Sequence, residues 1–421
     1  MGLRAKLSVV GRDYSRLFSN SAFRLLWTGQ TVSAFGDAFF NVTVAWIVWS
    51  ETRSTLQTAI IQAIWQLPDI LFAPLAGVMA DRWDRKRIML ITNLLAAVAV
   101  GAVAIIMASS GQLSPLVAYL AIFTLNSLTT FLNPARASIM PAVVGPAMLT
   151  TASGMFSAAN QAASLLGNAM AGFVISVAGS IWALVIDALS FVFVSLSIAA
   201  APLPKPVDPL SKSKHSSMSL SAFLRDMRDG WRTISRHPVI HMLVWLAVLV
   251  NVSAFTGALY PALIQERLGG GAATYGVLMA GSVCGGMLGG MLAGPIERRF
   301  GAGRVLACGW AIAGICTIAI AGSTWPLVTL TLEALASLGI TVSAITNGAI
   351  LVTSVSDEYR GRVFGICRAL SVIVIPVSAV GGGWLAEIIG VVPMYSIAGV
   401  YMLVLVVLAW GTNPHLRSAR V

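Results

Sequence analysis

Apolar residues fall along this chain in long runs, separated by short charged clusters. Twelve runs stand out, at roughly 23–49, 55–80, 88–108, 114–133, 150–178, 181–201, 239–263, 273–296, 304–322, 326–350, 362–388 and 392–411. Each is near the ~20 residues that carry a helix across a bilayer at ~1.5 Å per residue. None keeps the period-two alternation of a barrel strand. A helix also satisfies its own peptide groups in hydrocarbon. The pattern predicts an all-α membrane protein with twelve transmembrane helices.

Composition agrees. Of 421 residues, 57% are hydrophobic and 10% charged, whereas a soluble domain carries about a quarter charged residues. The net charge of +11 is informative through its placement. With the loops assigned alternately to two sides, all 27 Lys and Arg except Arg53 and Arg267 share the side of the N-terminus. That asymmetry puts both termini in the cytoplasm. It reports orientation and attraction to anionic lipid, not a nucleic-acid partner. Cys284, Cys308, Cys316 and Cys367 lie in predicted helices with no metal-ligand spacing and no disulfide framework. The first apolar run is too long for the core of a cleavable signal. Ahead of it, Leu3, Leu7, Val10, Tyr14 and Leu17 recur at helical spacing among basic residues. This segment is either a helix lying on the leaflet or a disordered basic tail.

The longest polar stretch runs from Pro202 to about Pro238, beginning Pro-Leu-Pro-Lys-Pro and turning helical from Leu220 to His237. Six runs precede it and six follow. The expected domains are a cytoplasmic segment 1–22, a six-helix bundle 23–201, a linker 202–238 with an amphipathic helix, a second bundle 239–411 and a tail 412–421. Internal similarity supports duplication. Leu75-Ala76-Gly77 with Arg87 is matched by Leu292-Ala293-Gly294 with Arg304, 217 residues later. Two parallel six-helix repeats are a transporter plan with the substrate site between the halves. The six charges in the seven residues Asp81 to Arg87 then form a solvated turn between spans two and three. Gly77, just before the turn, would allow close helix approach.

These residues carry a resemblance. Gly77-x-x-x-Asp81-Arg82-x-x-Arg85-Lys86-Arg87 resembles the signature of the major facilitator superfamily between helices two and three. Phe23-Arg24-Leu25-Leu26-Trp27 leading to Gly36-Asp37, Asn133-Pro134-Ala135-Arg136, Ile186-Asp187-Ala188-Leu189-Ser190-Phe191 and Arg360-Gly361-Arg362-Val363-Phe364-Gly365 are similar to its branch of macrolide efflux pumps and enterobactin exporters. The resemblance implies the major facilitator fold, with two pseudo-symmetric six-helix bundles. It implies export of an amphiphilic small molecule, drug-like or siderophore, by alternating access with proton antiport. It further implies a monomer in a bacterial inner membrane, with no cofactor or metal. The family's loop acts as a cytoplasmic latch, with Asp81 facing the start of span eleven near Arg360 and Arg362, and Arg85 paired with an acid.

Departures leave the coupling ion open. Asp84 stands where the broad signature prefers glycine, and Arg298 aligns with Asp81 in the second half. Span four lacks the buried arginine of many proton-coupled exporters, with Arg136 expected at its cytoplasmic end. Gly167-Asn168 through Gly172 resembles the antiporter motif of span five, with Asn168 in place of its proline.

Carboxyls inside spans are expensive in lipid and mark function or pairing. Asp37 shares a polar stripe with Gln30, Ser33 and Asn41, and Asp69 follows Pro68 with Gln62 and Gln66 nearby. Either carboxyl is a proton-coupling candidate or a hydrogen-bonded structural group. Glu333 heads a stripe with Ser337 and Thr341, as a coupling group or a side chain snorkelling outward. Asp187, towards an outer end, reads as structural. Arg368 either pairs with an acid or an anionic substrate group, or snorkels to the interface. Substrate-cavity candidates are Gln30, Asn41, Trp46, Trp65, Asn126, Phe131, Asn160, Gln161, Asn251, Phe255, Tyr260, Asn347 and Arg368, whose amides and rings suit an amphiphile and equally suit helix packing. The glycines from Gly281 to Gly294 in span eight allow close packing or sliding between halves.

Other classes lack their hallmarks. No Gly-x-x-x-x-Gly-Lys-Ser/Thr loop exists for an ATP-driven pump, and no nucleophile–base constellation for an enzyme. A channel would not need duplicated halves. Lysophospholipid is the main rival cargo.

Overall fold

The computed structural model describes residues 14–204, 228, 231–232, 234–235 and 237–412, without the side chains of Pro74, Asp81, Pro238 and Thr412. The expected surface helix lies partly outside this set, and only its end at residues 14–19 is seen to be helical. Most of the linker and the tail also lie outside the described residues.

The spans form as helices α1 (Ser21–Thr52), α2 (Thr55–Arg82), α3 (Arg85–Ser110), α4 (Pro115–Val144), α5 (Leu149–Ala178) and α6 (Ser180–Ala200). After the linker come α7 (Pro238–Val250), α8 (Phe255–Leu268), α9 (Ala272–Phe300), α10 (Ala302–Gly322), α11 (Pro326–Ser354), α12 (Asp357–Ile389) and α13 (Val391–Thr412). A 3₁₀ turn, Asn251–Ala254, joins α7 to α8, so the pair makes one broken span and the described residues hold twelve spans. Eleven of these are long and apolar enough to cross a bilayer on composition alone. The other is α2, whose 28 residues are diluted by Gln57, Gln62, Gln66 and Asp69.

Asp84 explains itself at the start of α3. Its side chain accepts a hydrogen bond from Arg87 N (2.9 Å), so it is the N-cap of that helix. A glycine there would lose the carboxylate that satisfies an orphan donor. At the other end Gly111 takes φ 72° and its N–H closes on Met107 O, a left-handed stop that favours glycine.

Two helices differ from expectation. The apolar run of span four ends near residue 133. The helix passes through both Pro134 and Pro141 to Val144, so at ~1.5 Å per residue it is longer than the ~30 Å hydrocarbon core. Span eleven starts at Asp357 rather than 362, with Asp357 and Glu358 in its first turn, where acids complement the helix dipole.

The helices gather into two compact units, one drawn from Met1–Glu51 and Leu67–Lys212, the other from Thr52–Gln66 and Ser213–Val421. The first part of α2 thus packs with the second unit. In the first unit, α3 packs on α6 and α4. In the second, α11 packs on α9 and α10, and α10 packs on α13.

Small residues set these contacts. A Cβ on Gly36 would strike Ser190 and Asp187 of α6, and one on Gly167 would lie 2.8 Å from Phe35 O of α1. In the second unit Gly309 and Gly339 meet backbone to backbone, as do Gly314 and Gly399. The glycine ladder of span eight was expected to serve the meeting of the halves. Its Gly281, Gly285 and Gly289 instead face Leu330, Ala334 and Leu338 of α11, inside one unit. Gly77, expected to allow close approach, has no atom of its own unit within 4 Å of where a Cβ would stand.

Gly285→Ala should therefore destabilise the protein by about 1–3 kcal/mol, because the added carbon meets the Ala334 backbone. Gly290→Ala, where a Cβ meets nothing within 4 Å, should not. Thermal unfolding of the two purified variants checks this.

Candidate functional site

In the first unit the polar stripe of α1 meets α4 at Arg136. Because α4 continues past Pro134, Arg136 lies two turns inside the helix, about 12 Å from its end at ~1.5 Å per residue. The expectation placed it at the cytoplasmic end of the span, and the helix continues two turns past it. Arg136 is half-buried, and its guanidinium donates to Gln30 Oε1 and to Asn133 Oδ1 (3.1 Å). It also attracts the carboxylate of Asp37, one helical repeat beyond Gln30.

Asp37 stands roughly 24 Å along α1 from its start, yet keeps an exposed side chain. Its neighbour Gly36 lets α6 come close enough to bring Asp187 alongside. The Asp187 and Asp37 carboxyls repel each other. Asp187 is 0% exposed, with Ser190 Oγ 3.4 Å from Oδ1 and no partner on Oδ2. The expected structural Asp187 thus shares a polar cluster with the expected coupling residue. Gln30 Nε2 is likewise buried without a partner. Two carboxyls, one guanidinium and an open amide thus lie together in the first unit.

Asp69, on the part of α2 belonging to this unit, accepts a hydrogen bond from Thr130 Oγ1 at 2.8 Å. Asn126 turns its amide onto its own helix at Ile122 O (3.0 Å). Phe131 packs on Phe72, ring centroids 6.0 Å apart, and lines a separate cavity with Trp83, Asp84 and Arg87. Asn41 and Asn160 are half-buried and Gln161 is exposed.

The loop residues hold the unit's own ends. Lys86 Nζ donates to Ala199 O and Ala201 O, both at 2.9 Å, closing the terminus of α6. Arg85 was expected to pair with an acid. Its hydrogen bond among the described residues goes to Ser138 O (3.4 Å), which the extension of α4 brings beside the loop. Arg82 and Arg87 are exposed. The expected meeting of Asp81 with span eleven involves a side chain outside the described residues. Arg360 pairs with Asp357 at 2.7 Å and donates to Val352 O (3.0 Å), while Arg362 lies 5.5 Å over the Tyr359 ring. Arg368 is exposed on α12.

The second unit holds a cavity of about 510 Å³. The break in span seven shapes it. Carbonyls around the 3₁₀ turn are taken by side chains: Val252 O by Ser378, Thr256 O by Tyr395 (2.6 Å) and Leu249 O by Tyr401 (2.9 Å). With its backbone satisfied in this way, the turn presents Asn251 to the cavity. Glu333 was weighed as a group snorkelling outward. It faces Ser282 and Tyr260 among the lining residues, which corrects that expectation. Asn347 lines the cavity too, with Nδ2 reaching Leu243 O at 3.4 Å and Oδ1 unpartnered. Phe255 does not line it, because it seats Gly382 of α12 against its Cβ. Trp65 and Trp46 are half-buried.

Sequence reasoning missed Ser282, Trp310 and Tyr395 as lining residues. Trp310 and Tyr395 lie in uniformly apolar helices, where a ring is indistinguishable from packing. It also missed Arg136, whose signal was present: a cation followed by more than a turn of uncharged sequence before the next loop.

A family model described as "Transmembrane secretion effector" matches residues 15–418. Macrolide efflux protein A of Streptococcus pyogenes is 23% identical over 385 residues, covering 90% of this chain and 92% of that one. Multidrug efflux pump Tap of Mycolicibacterium fortuitum is 25% identical over 400 residues, covering 91% and 94%. Among solved structures, a mutant of nucleoside transporter NupG superposes with a TM-score of 0.71 at 14% identity, covering 92% of this chain and 99% of that one.

Arg136→Ala and Asp37→Asn should each lower stability, and the double variant should lose less than their sum. The expected coupling is about 0.5–3 kcal/mol, towards the lower end because Asp37 is exposed. A double-mutant cycle on thermal unfolding measures it, and additive losses would dissolve the pair.

Proposed function

The chain belongs to the transmembrane secretion effector family of major facilitator transporters, and from that premise we propose that it exports an amphiphilic small molecule by proton antiport. The membrane is a bacterial cytoplasmic membrane, with both termini inside. The protein works as a monomer by alternating access, and needs no cofactor. Its relatives, a macrolide efflux protein and a multidrug efflux pump, support the direction of transport and a drug-like cargo.

The observation that carries the coupling is the Asp37–Arg136–Asp187 cluster. Arg136 offsets the charge of Asp37, and Asp187 beside Asp37 repels it. A proton relieves that repulsion. Arriving and leaving through the exposed Asp37 side chain, that proton changes how strongly Arg136 is held between α1 and α4. A change of that kind biases helices that have two arrangements. Asp69 stands nearby in sequence terms as a further carboxyl, but Thr130 already donates to it.

Proteoliposomes with an imposed pH gradient test the proposal, using a panel of macrolides, siderophores and lysophospholipids. Gradient-driven transport of the first two classes supports it, and movement of lysolipid alone reassigns the cargo. Asp37→Asn should reduce gradient-driven transport about tenfold or more while keeping counterflow, since exchange of cargo for cargo needs no proton. A variant that transports at the wild-type rate removes Asp37 from the cycle.

A further inference from the structure

We propose that Glu387 of α12 is a clasp on the start of α2, and that this clasp opens and closes in each transport cycle. The inference rests on the alternating-access reading, with these ends of α2 and α12 on the outer face. It names the residues that fasten that face.

Side-chain hydrogen bonds join the two helices inside the second unit. The Glu387 carboxylate accepts from Ser54 Oγ and from Leu56 N (3.3 Å), an orphan donor in the first turn of α2. It also meets the positive end of that helix's dipole. One turn earlier on α12, Gly383 O accepts from Thr55 Oγ1 (2.8 Å). Gly383 permits this approach, because a Cβ there would lie 2.9 Å from Thr55 O and closer still to the Ala59 Cβ.

The start of α2 does not need this clasp in order to form. Ser54 caps the helix unaided: its Oγ accepts from Gln57 N (3.1 Å) and its carbonyl from Thr58 N (3.2 Å). What Glu387 adds is attachment to α12. Its side chain is exposed, so water replaces the bonds it gives up at little cost. Just ahead of the cap, Arg53 holds φ 52°, a left-handed conformation that is costly for a residue with a side chain. That strain favours a change in the turn once its anchor lets go. The helix itself is divided between the units. Residues up to Gln66 pack with the second and those from Leu67 with the first, and Pro68 stands at that boundary. A proline removes a helical hydrogen bond and gives a helix a place to bend. The outer part of α2 is thus an arm with its own cap, a hinge at Pro68 and an exposed carboxylate fastening its tip.

Two experiments on the full-length chain test this, both in a background whose four cysteines are alanine. In the first, Thr58→Cys is labelled on the purified protein by a membrane-impermeant maleimide. Thr58 is 3% exposed, one turn behind Ser54, so its labelling rate reports opening. Glu387→Ala should raise that rate about tenfold, the low end for a hydrogen bond to a charged group because Glu387 is exposed. Glu387→Gln, which keeps an acceptor oxygen, should raise it less. An unchanged rate in Glu387→Ala overturns the clasp. In the second, Ser54→Cys and Glu387→Cys are joined by a short bis-methanethiosulfonate, and erythromycin transport driven by a pH gradient is measured in vesicles. Cross-linking should stop transport and a reductant should restore it. Transport at the same rate with the cross-link in place overturns the clasp and leaves export standing. If Glu387→Ala does not fold, this second result decides. Faster labelling in Glu387→Ala, with no gradient-driven movement of any cargo class by the unmodified protein, keeps the clasp and sinks export.

Discussion

Helices in hydrocarbon gain little from burying apolar side chains against each other, since lipid tails are equally apolar. What holds them together is close approach, and close approach needs a missing side chain. Gly36 of α1 against α6, Gly285 of α9 against α11, and the Gly309–Gly339 and Gly314–Gly399 pairs are where this chain meets that need. The polar groups then follow from the packing. Asp37 and Asp187 are neighbours because Gly36 lets their helices touch.

The span pattern was legible because hydropathy over twenty residues is a strong signal. Packing partners were not. The glycine ladder of span eight could be read as a flat face, but nothing in its spacing names α11 as the helix that fills it. The end of span four was placed where its apolar run meets Asn133-Pro134-Ala135-Arg136. The helix runs on to Val144, and Arg136 had been left out of the candidate site. Asp37 and Glu333 were found because a carboxyl among apolar residues stands out in any sequence. Tyr395 and Trp310 were not, because a ring among leucines does not.

The two units treat charge differently. The first sets a guanidinium against Asp37, which lies beside a second carboxyl, Asp187. The second leaves one carboxyl in a cavity lined otherwise by uncharged residues. The broken span seven belongs to this design. It interrupts a helix in the one place where tyrosine and serine side chains from α12 and α13 take over its carbonyls.

Lys86 has a mechanical consequence. Its ammonium grips Ala199 O and Ala201 O at the C-terminal end of α6. The end of that helix is thus pinned to the same short turn that carries the family's signature, so a shift of one is felt at the other.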